Sequence, residues 1–277
     1  MAPPRALHPA AAGVSVLDAA ALARARDLAA AAARAPREAI LAGFRAPSLG
    51  VETKADGSPV TATDRAAEAI VRDRLRASPD FGGFEILGEE GGTESGSGGY
   101  RWVVDPIDGT RAFARKLPTF GTIVALEERG SGRAVVGAIH LPVTDETLAG
   151  ALGLGAERGG EPLRASDARD LRSAIIVLPD VIDFRLAGME QGWAAVHTAC
   201  DRVRGYTDCW AHALVIAGAV DLMVEAALSP WDVRATEVLI TEAGGAYRAR
   251  PSRVEGKVDV IFGSPTLVQR VAELVFQ

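Results

Sequence analysis

Two carboxylates three residues apart, Asp105 and Asp108, lie in the stretch Asp105-Pro106-Ile107-Asp108-Gly109-Thr110. The apolar, β-branched run Tyr100–Val104 before it reads as a buried strand, and Arg111–Arg115 after it can open a helix. Pro106 fixes one φ and removes one donor, which favours a tight turn in which residues three apart point the same way. Two carboxylates about 4 Å apart repel by roughly 4 kcal/mol at an effective dielectric near 20. A positive charge between them would relieve that cost. Gly109 allows close backbone approach, and its N–H and that of Thr110 suit an anion at a helix start. The six residues therefore fit a metal–phosphate site, and equally an Asp-rich turn with a helix cap.

Other acids stand at similar junctions. Glu89 and Glu90 follow a short strand candidate, Phe84–Leu87, and by themselves read as a solvated acidic turn. Asp64 closes the loop-like run from Lys54 and, like Thr63, can cap a helix over Ala66–Arg76. Asp232, in Trp231-Asp232-Val233, also reads as the cap of a helix, over Asp232–Gly244.

The remaining chain must position these groups. Its 277 residues are 48% hydrophobic and 24% charged, which suits one large domain or two closely packed subdomains. The net charge of −6 argues against nucleic-acid or anionic membrane partners. No apolar run reaches the roughly 20 residues of a membrane span, and the start lacks a signal-peptide core, so a cytoplasmic location is expected. Cys200 and Cys209 form no disulfide or metal pattern and read as partly buried thiols, while His8, His140, His197 and His212 lack ligand spacing and read as structural.

Residues 1–13 read as a flexible tail, residues 14–158 as an N-terminal α+β subdomain with the acidic centre, and residues 159–277 as a C-terminal α/β subdomain supplying Asp232. The expected helices are Val14–Arg34, Arg37–Arg45, Phe184–Thr198, Cys209–Val220 and Thr266–Phe276. The expected strands are Phe120–Glu127, Ala134–His140, Leu148–Leu154, Ser173–Leu178, Asp221–Glu225 and Val258–Phe262. The Gly/Ser-rich stretch Thr93–Gly99 reads as a surface loop.

Taken in order, Lys54…Asp64, Gly88-Glu89-Glu90, the central motif and Trp231-Asp232 resemble the inositol monophosphatase superfamily of magnesium-dependent phosphatases. Trp102-Val103-Val104 and Thr241-Glu242-Ala243-Gly244-Gly245 strengthen the resemblance. It implies a mixed α/β, layered α-β-α-β-α sandwich of the inositol monophosphatase and fructose-1,6-bisphosphatase type, usually a homodimer. It implies two or three Mg²⁺ per site: Glu89, Asp105 and the Ile107 carbonyl on one ion, and Asp105, Asp108 and Asp232 on a second. Glu89 would also touch a weaker third ion, near the Lys54 loop. Thr110 and Asp64 would orient the attacking water, with the Gly109 and Thr110 N–H groups on phosphate. Glu90 receives no ligand role.

Within the family, Arg111-Ala112-Phe113 and Asp208-Cys209-Trp210 look more like the histidinol-phosphate phosphatase branch, although Thr207 stands where that branch often has Gly. Asp208 and Glu225 would then face a cationic amine, with Asp208 as a helix cap the competing reading. The resemblance makes a small phosphate monoester the substrate, with histidinol phosphate expected. Inositol 1-phosphate is the alternative, and a third is fructose 1,6-bisphosphate or a nucleotide 3′-phosphate, for which Arg111 and Arg185 are the candidate cations. A non-catalytic regulator with the same fold is the remote one.

Overall fold

The computed structural model describes residues 17–53 and 59–276. Lys54 and the tail over residues 1–13 lie outside the described residues. Helix α1 (Ala19–Arg34) begins where the Asp18 side chain accepts from Ala21 N at 2.7 Å. Pro36 separates it from α2 (Arg37–Arg45), as the sequence predicts. A short antiparallel ribbon, β1 (Glu52–Thr53) and β2 (Pro59–Val60), leads to α3 (Ala62–Arg76).

Next come β3 (Glu85–Gly88), β4 (Gly92–Glu94), β5 (Tyr100–Asp108), the short α4 (Thr110–Ala114), β6 (Gly121–Glu128), β7 (Ala134–Leu141), β8 (Glu146–Ala151), β9 (Gly155–Arg158) and β10 (Glu161–Pro162). The eight strands form one sheet in the order β10-β9-β8-β7-β6-β5-β3-β4. Its neighbours are antiparallel except β3 and β5, which run parallel. This sheet continues past the composition shift at Gly159.

The later chain gives β11 (Ile175–Val177), α5 (Val181–Leu186), α6 (Glu190–Ala199), β12 (Arg202–Arg204), α7 (Asp208–Ile216), β13 (Leu222–Leu228), α8 (Pro230–Glu242), β14 (Ala246–Pro251), β15 (Val258–Gly263) and α9 (Pro265–Val275). Its five strands form a second sheet in the order β12-β11-β13-β15-β14.

Three apolar cores alternate with the two sheets. Ala25, Leu28, Ala29 and Ala32 of α1 and Val71 and Leu75 of α3 pack on one face of the large sheet, against Trp102, Val124, Leu126 and Val136. The other face, with Ile123, Ala125 and Ile139, packs on Ala211, Val215, Ala235 and Leu239 of α7 and α8. The same core reaches Met223 and Phe262 of the second sheet. Phe184, Val196, Val268 and Val271 then cover that sheet's outer face. The layers are thus helix, sheet, helix, sheet, helix, the expected sandwich. Helices α7 and α8, enclosed between two sheets, carry Asp208 and Asp232.

Five expectations need correction. Thr93–Gly99 is not wholly loop, because Gly92–Glu94 pairs with β3. Phe184–Thr198 is not one helix: Gly188, at φ +69°, breaks it into α5 and α6. The helical stretch of Cys209–Val220 stops at Ile216. The edge strands escape the periodicity rule, β10 and β12 because they are only two and three residues long, and β14 because none of its six residues is buried. Cys200 and Cys209 are free and buried, Cys209 completely and Cys200 to 7% exposure, rather than partly so.

Close packing between β7 and α8 sets the position of Asp232. A Cβ on Gly137 would lie 2.6 Å from the Ala235 carbonyl oxygen and 2.8 Å from its Cα. Gly137→Ala is therefore expected to push α8 off the sheet and to destabilise the protein by about 1–3 kcal/mol. Thermal melting of the variant checks this, and an unchanged midpoint would contradict the packing described.

Candidate active site

The central motif is not a turn beyond a strand end. It is the last part of β5 itself, carrying a bulge. Pairing with β6 passes from Asp105 opposite Ile123 to Asp108 opposite Gly121, so the two chains fall out of step between the acids. Within the bulge Asp105 Oδ1 accepts from Ile107 N at 3.1 Å, and Thr122 Oγ1 donates to the Pro106 carbonyl at 2.8 Å. Gly109 follows at φ +85°, and a Cβ there would meet the Thr119 carbonyl at 3.0 Å and the Asp208 carboxylate at 3.2 Å. Both the left-handed backbone and the close approach require glycine.

Asp232 and Asp64 reach the same place by one device. Neither is the helix N-cap expected from the sequence. The N-caps are Ser229 and Thr61, and each Asp is the third helical residue. Asp232 Oδ2 accepts from Ser229 N at 2.7 Å. Asp64 Oδ2 accepts from Thr61 N at 2.9 Å and from Thr61 Oγ1 at 2.5 Å. This is the capping-box arrangement, in which the acid reaches back to the cap backbone. A carboxylate so used keeps its second oxygen for other work. In Asp64 that oxygen, Oδ1, lies 3.3 Å from Thr110 Oγ1, which is also 3.0 Å from the Ile107 carbonyl.

Oxygen atoms of Asp105, Asp108 and Asp232 lie within 4.8 Å of one another. Glu89 joins them from the turn after β3, where its N–H donates to the Val104 carbonyl at 3.1 Å and its carboxylate charge raises the Asp105 pKa. That turn is held by Glu68, whose role the sequence reading missed. Buried Glu68 accepts from Glu90 N at 2.7 Å and Gly91 N at 2.9 Å, and pairs with Arg72 at 2.7 Å. The Glu68–Arg72 spacing of four residues on a helix was the available signal. Glu90 thus contributes its backbone to the turn. The cluster is also tied to α7, where Asp108 accepts from Cys209 N.

The electrostatics of the cluster are unfavourable as they stand. Burial first, and then Glu89, Asp108 and Asp232, push the Asp105 carboxyl well above the usual range. Asp108 is raised in the same way, by burial and by Asp208 and Asp232. Asp232 is pushed up to about 7, mainly by burial, against the lowering effect of the Ser229 N–H. Among the described residues, no Lys or Arg pairs with Asp105, Asp108 or Asp232. Lys257 offsets the charge at Asp232 and His212 that at Asp108 only in part, so both carboxyls stay raised. A cluster of hard oxygens in that state fits a divalent cation such as Mg²⁺.

Beside the cluster a cleft of about 340 Å³ is lined by Arg111, Thr119, Asp183, Thr207, Asp208 and Glu225, among others. Asp208 adopts φ +60°, a left-handed conformation that Asp tolerates better than most residues. Thr207, not Asp208, caps α7, and its hydroxyl donates to Asp208 Oδ2 at 2.5 Å. The structure therefore brings together the described residues expected at the site, except Arg185, which is exposed on α5 and pairs with Glu190 at 2.9 Å. The missed members are Glu68, Asp183 and His212, the last within 2.6 Å of Glu225.

The family model for the inositol monophosphatase family matches residues 22–273. The histidinol-phosphatase of Chlorobaculum parvum is 34% identical over 214 residues, covering 76% of this chain and 81% of that protein. The Nus factor SuhB of Escherichia coli K12 is 34% identical over 227 residues, covering 79% and 82%. The solved structure of inositol monophosphatase from Anabaena superposes with a TM-score of 0.76 at 28% identity, covering 91% of this chain and 95% of that one. No helix among the described residues is long and apolar enough to cross a membrane. With a matched model over most of its length and an acidic centre of the expected composition, the chain belongs to the inositol monophosphatase family.

Proposed function

We propose that the protein is a Mg²⁺-dependent phosphomonoesterase that hydrolyses L-histidinol phosphate to L-histidinol and phosphate. The observation that carries the reading is the meeting of Asp105, Asp108 and Asp232 within 4.8 Å, beside a cleft lined by four further carboxylates, Asp180, Asp183, Asp208 and Glu225. Glu89, Asp105 and the Ile107 carbonyl would hold one cation, and Asp105, Asp108 and Asp232 a second, with Glu89 also near a third. Cations so bound supply positive charge to phosphate oxygens and acidify a water.

The chain's own groups do the rest. Asp64 Oδ2 is occupied by Thr61, so only Oδ1 is left to accept the Thr110 proton. A Thr110 hydroxyl so engaged turns a lone pair outward to orient the attacking water, a positional effect worth about 10²–10⁴-fold. The Gly109 and Thr110 N–H groups, at the positive-φ turn into α4, would hold phosphate oxygens. Asp208, Glu225 and Asp183 give the leaving-group cleft a predominantly anionic wall, which suits an ammonium or imidazolium better than a neutral polyol. The 34% identity to a histidinol-phosphatase supports the same choice. A homodimer and a cytoplasmic location accompany this reading through the family resemblance.

The test is a phosphate-release panel with Mg²⁺ over L-histidinol phosphate, inositol 1-phosphate, fructose 1,6-bisphosphate and phosphoadenosine phosphate. Histidinol phosphate should be preferred at least tenfold in kcat/KM, and a preference for inositol 1-phosphate would overturn the substrate assignment. Asp208→Asn, which keeps the tolerance for φ +60°, removes one charge. It is expected to raise KM for histidinol phosphate about tenfold or more, the usual worth of a charge-assisted hydrogen bond. An equal rise for a neutral ester would instead mark Asp208 as part of the helix start.

A further inference from the structure

His212 lies behind the leaving-group cleft, 1% exposed, and both of its ring nitrogens are used. Nδ1 is 2.7 Å from Thr236 Oγ1 and Nε2 is 2.6 Å from Glu225 Oε2. Phe262 fixes the plane of the ring by an edge contact, with centroids 5.0 Å apart at 70°. The three partners come from different elements: Thr236 from α8, Glu225 from β13 and Phe262 from β15. Thr236 is four residues after Asp232, one turn along the same helix face.

One tautomer satisfies the whole chain, with Nε2–H donating to Glu225 and Nδ1 accepting from Thr236 O–H. Protonation of the ring would keep the Glu225 bond. Glu225 Oε2 is thereby committed inward. Its other oxygen has no hydrogen-bond partner among the described residues, and the residue lines the cleft. A core histidine held by backbone carbonyls would have no such link to the site. This one connects the helix of a cluster acid to the wall of the cleft.

We propose that His212 is a positioning residue that fixes Glu225 so that one carboxylate oxygen faces the alcohol part of the substrate, and that His212 thereby sets selectivity for a cationic leaving group. The proposal rests on the reading of Glu225 as a substrate contact. Without the imidazole, Glu225 would lose its inward partner and rotate, and a rotated carboxylate meets the substrate's cation less well. Phosphate and water would still be handled by Thr110 and the acidic cluster, so the effect should fall on discrimination.

The test compares kcat/KM for L-histidinol phosphate with that for glycerol 2-phosphate, which carries no amine, in Glu225→Gln, His212→Leu, His212→Gln and the double variant His212→Leu/Glu225→Gln. Glu225→Gln should lower the selectivity ratio about tenfold. His212→Leu should lower it to a similar extent, mainly through KM. His212→Gln, whose amide can still donate to Glu225, should restore at least half of the loss on a logarithmic scale. The double variant should be no less selective than either single one. Thr236→Val, a milder change used should His212→Leu fail to fold, is expected to lower the ratio two- to fivefold.

A ratio unchanged in His212→Leu or Thr236→Val, while Glu225→Gln lowers it, would overturn the positioning role alone. An unchanged ratio in Glu225→Gln would overturn the reading of Glu225 itself, and His212 with it.

Discussion

Asp105→Asn is expected to lower kcat/KM for every phosphomonoester by about 10³–10⁴, whatever the leaving group. Asp105 is the most enclosed member of the cluster, at 2% exposure, and it adjoins Glu89 on one side and Asp108 and Asp232 on the other. An amide of the same shape keeps the Ile107 N–H within reach of an oxygen but offers one neutral oxygen where a charged carboxylate stood. Charge stabilisation at a metal-assisted phosphoryl site amounts to several kcal/mol, and each 1.36 kcal/mol is tenfold in rate. Steady-state phosphate release at saturating Mg²⁺ measures it. Retention of more than a tenth of the activity would show that Asp105 does not organise the centre.

The second large effect concerns the metal-free protein, in which the acidic cluster's contribution to stability should fall as pH rises from about 4 to 7, outweighing the opposite contribution of His140, held down at about 4 by burial. Asp105, Asp108 and Asp232 all have folded pKa values above the unfolded value of 3.8, Asp232 at about 7, with burial the first cause in each. A raised acid binds more protons folded than unfolded, so the folded state loses ground as the pH climbs through the interval between the two pKa values. For Asp232 that interval is 3.8 to about 7. Its contribution is on the order of a few kcal/mol, at 1.36 kcal/mol per pKa unit.

Melting in EDTA at pH 5 and pH 8 should therefore show a lower midpoint at pH 8. Millimolar Mg²⁺ should reverse most of the drop, because a ligand that binds only the folded state stabilises it. Asp105→Asn should melt higher than the parent in EDTA at pH 8, having shed one buried charge. A metal-free protein equally stable at both pH values would mean that the cluster is relieved in another way.

Much of the molecule follows from local rules. The alanine face of α1, the break at Pro36 and the buried runs of β5, β6, β7 and β15 are periodicity and proline chemistry, and each stands where the sequence puts it. The layering is less accessible, because it depends on which faces meet. The sequence marks α7 and α8 as helices but does not show both enclosed between two sheets.

At the site, residue types and spacing single out Asp105 and Asp108, and the family resemblance adds Asp64 and Asp232. What they conceal is that cap and site are one function in Asp64 and Asp232. Weighing a helix cap against a ligand treats as rivals two uses that the two oxygens of one carboxylate divide between them. Glu68 and His212 were hidden for another reason. Each acts on a residue far along the chain, Glu68 on Glu90 and Gly91 and His212 on Glu225; the Glu68–Arg72 spacing marks an ion pair on a helix, but no local pattern names these distant partners.

Anomalous diffraction from crystals grown with Mn²⁺, which takes the same hard oxygen ligands as Mg²⁺, tests the acidic centre most directly. Strong density bounded by Asp105, Asp108 and Asp232, and lost in Asp105→Asn crystals, is the expected result. No density there at saturating Mn²⁺, in crystals of protein that still releases phosphate, would contradict a metal-dependent reaction at this cluster.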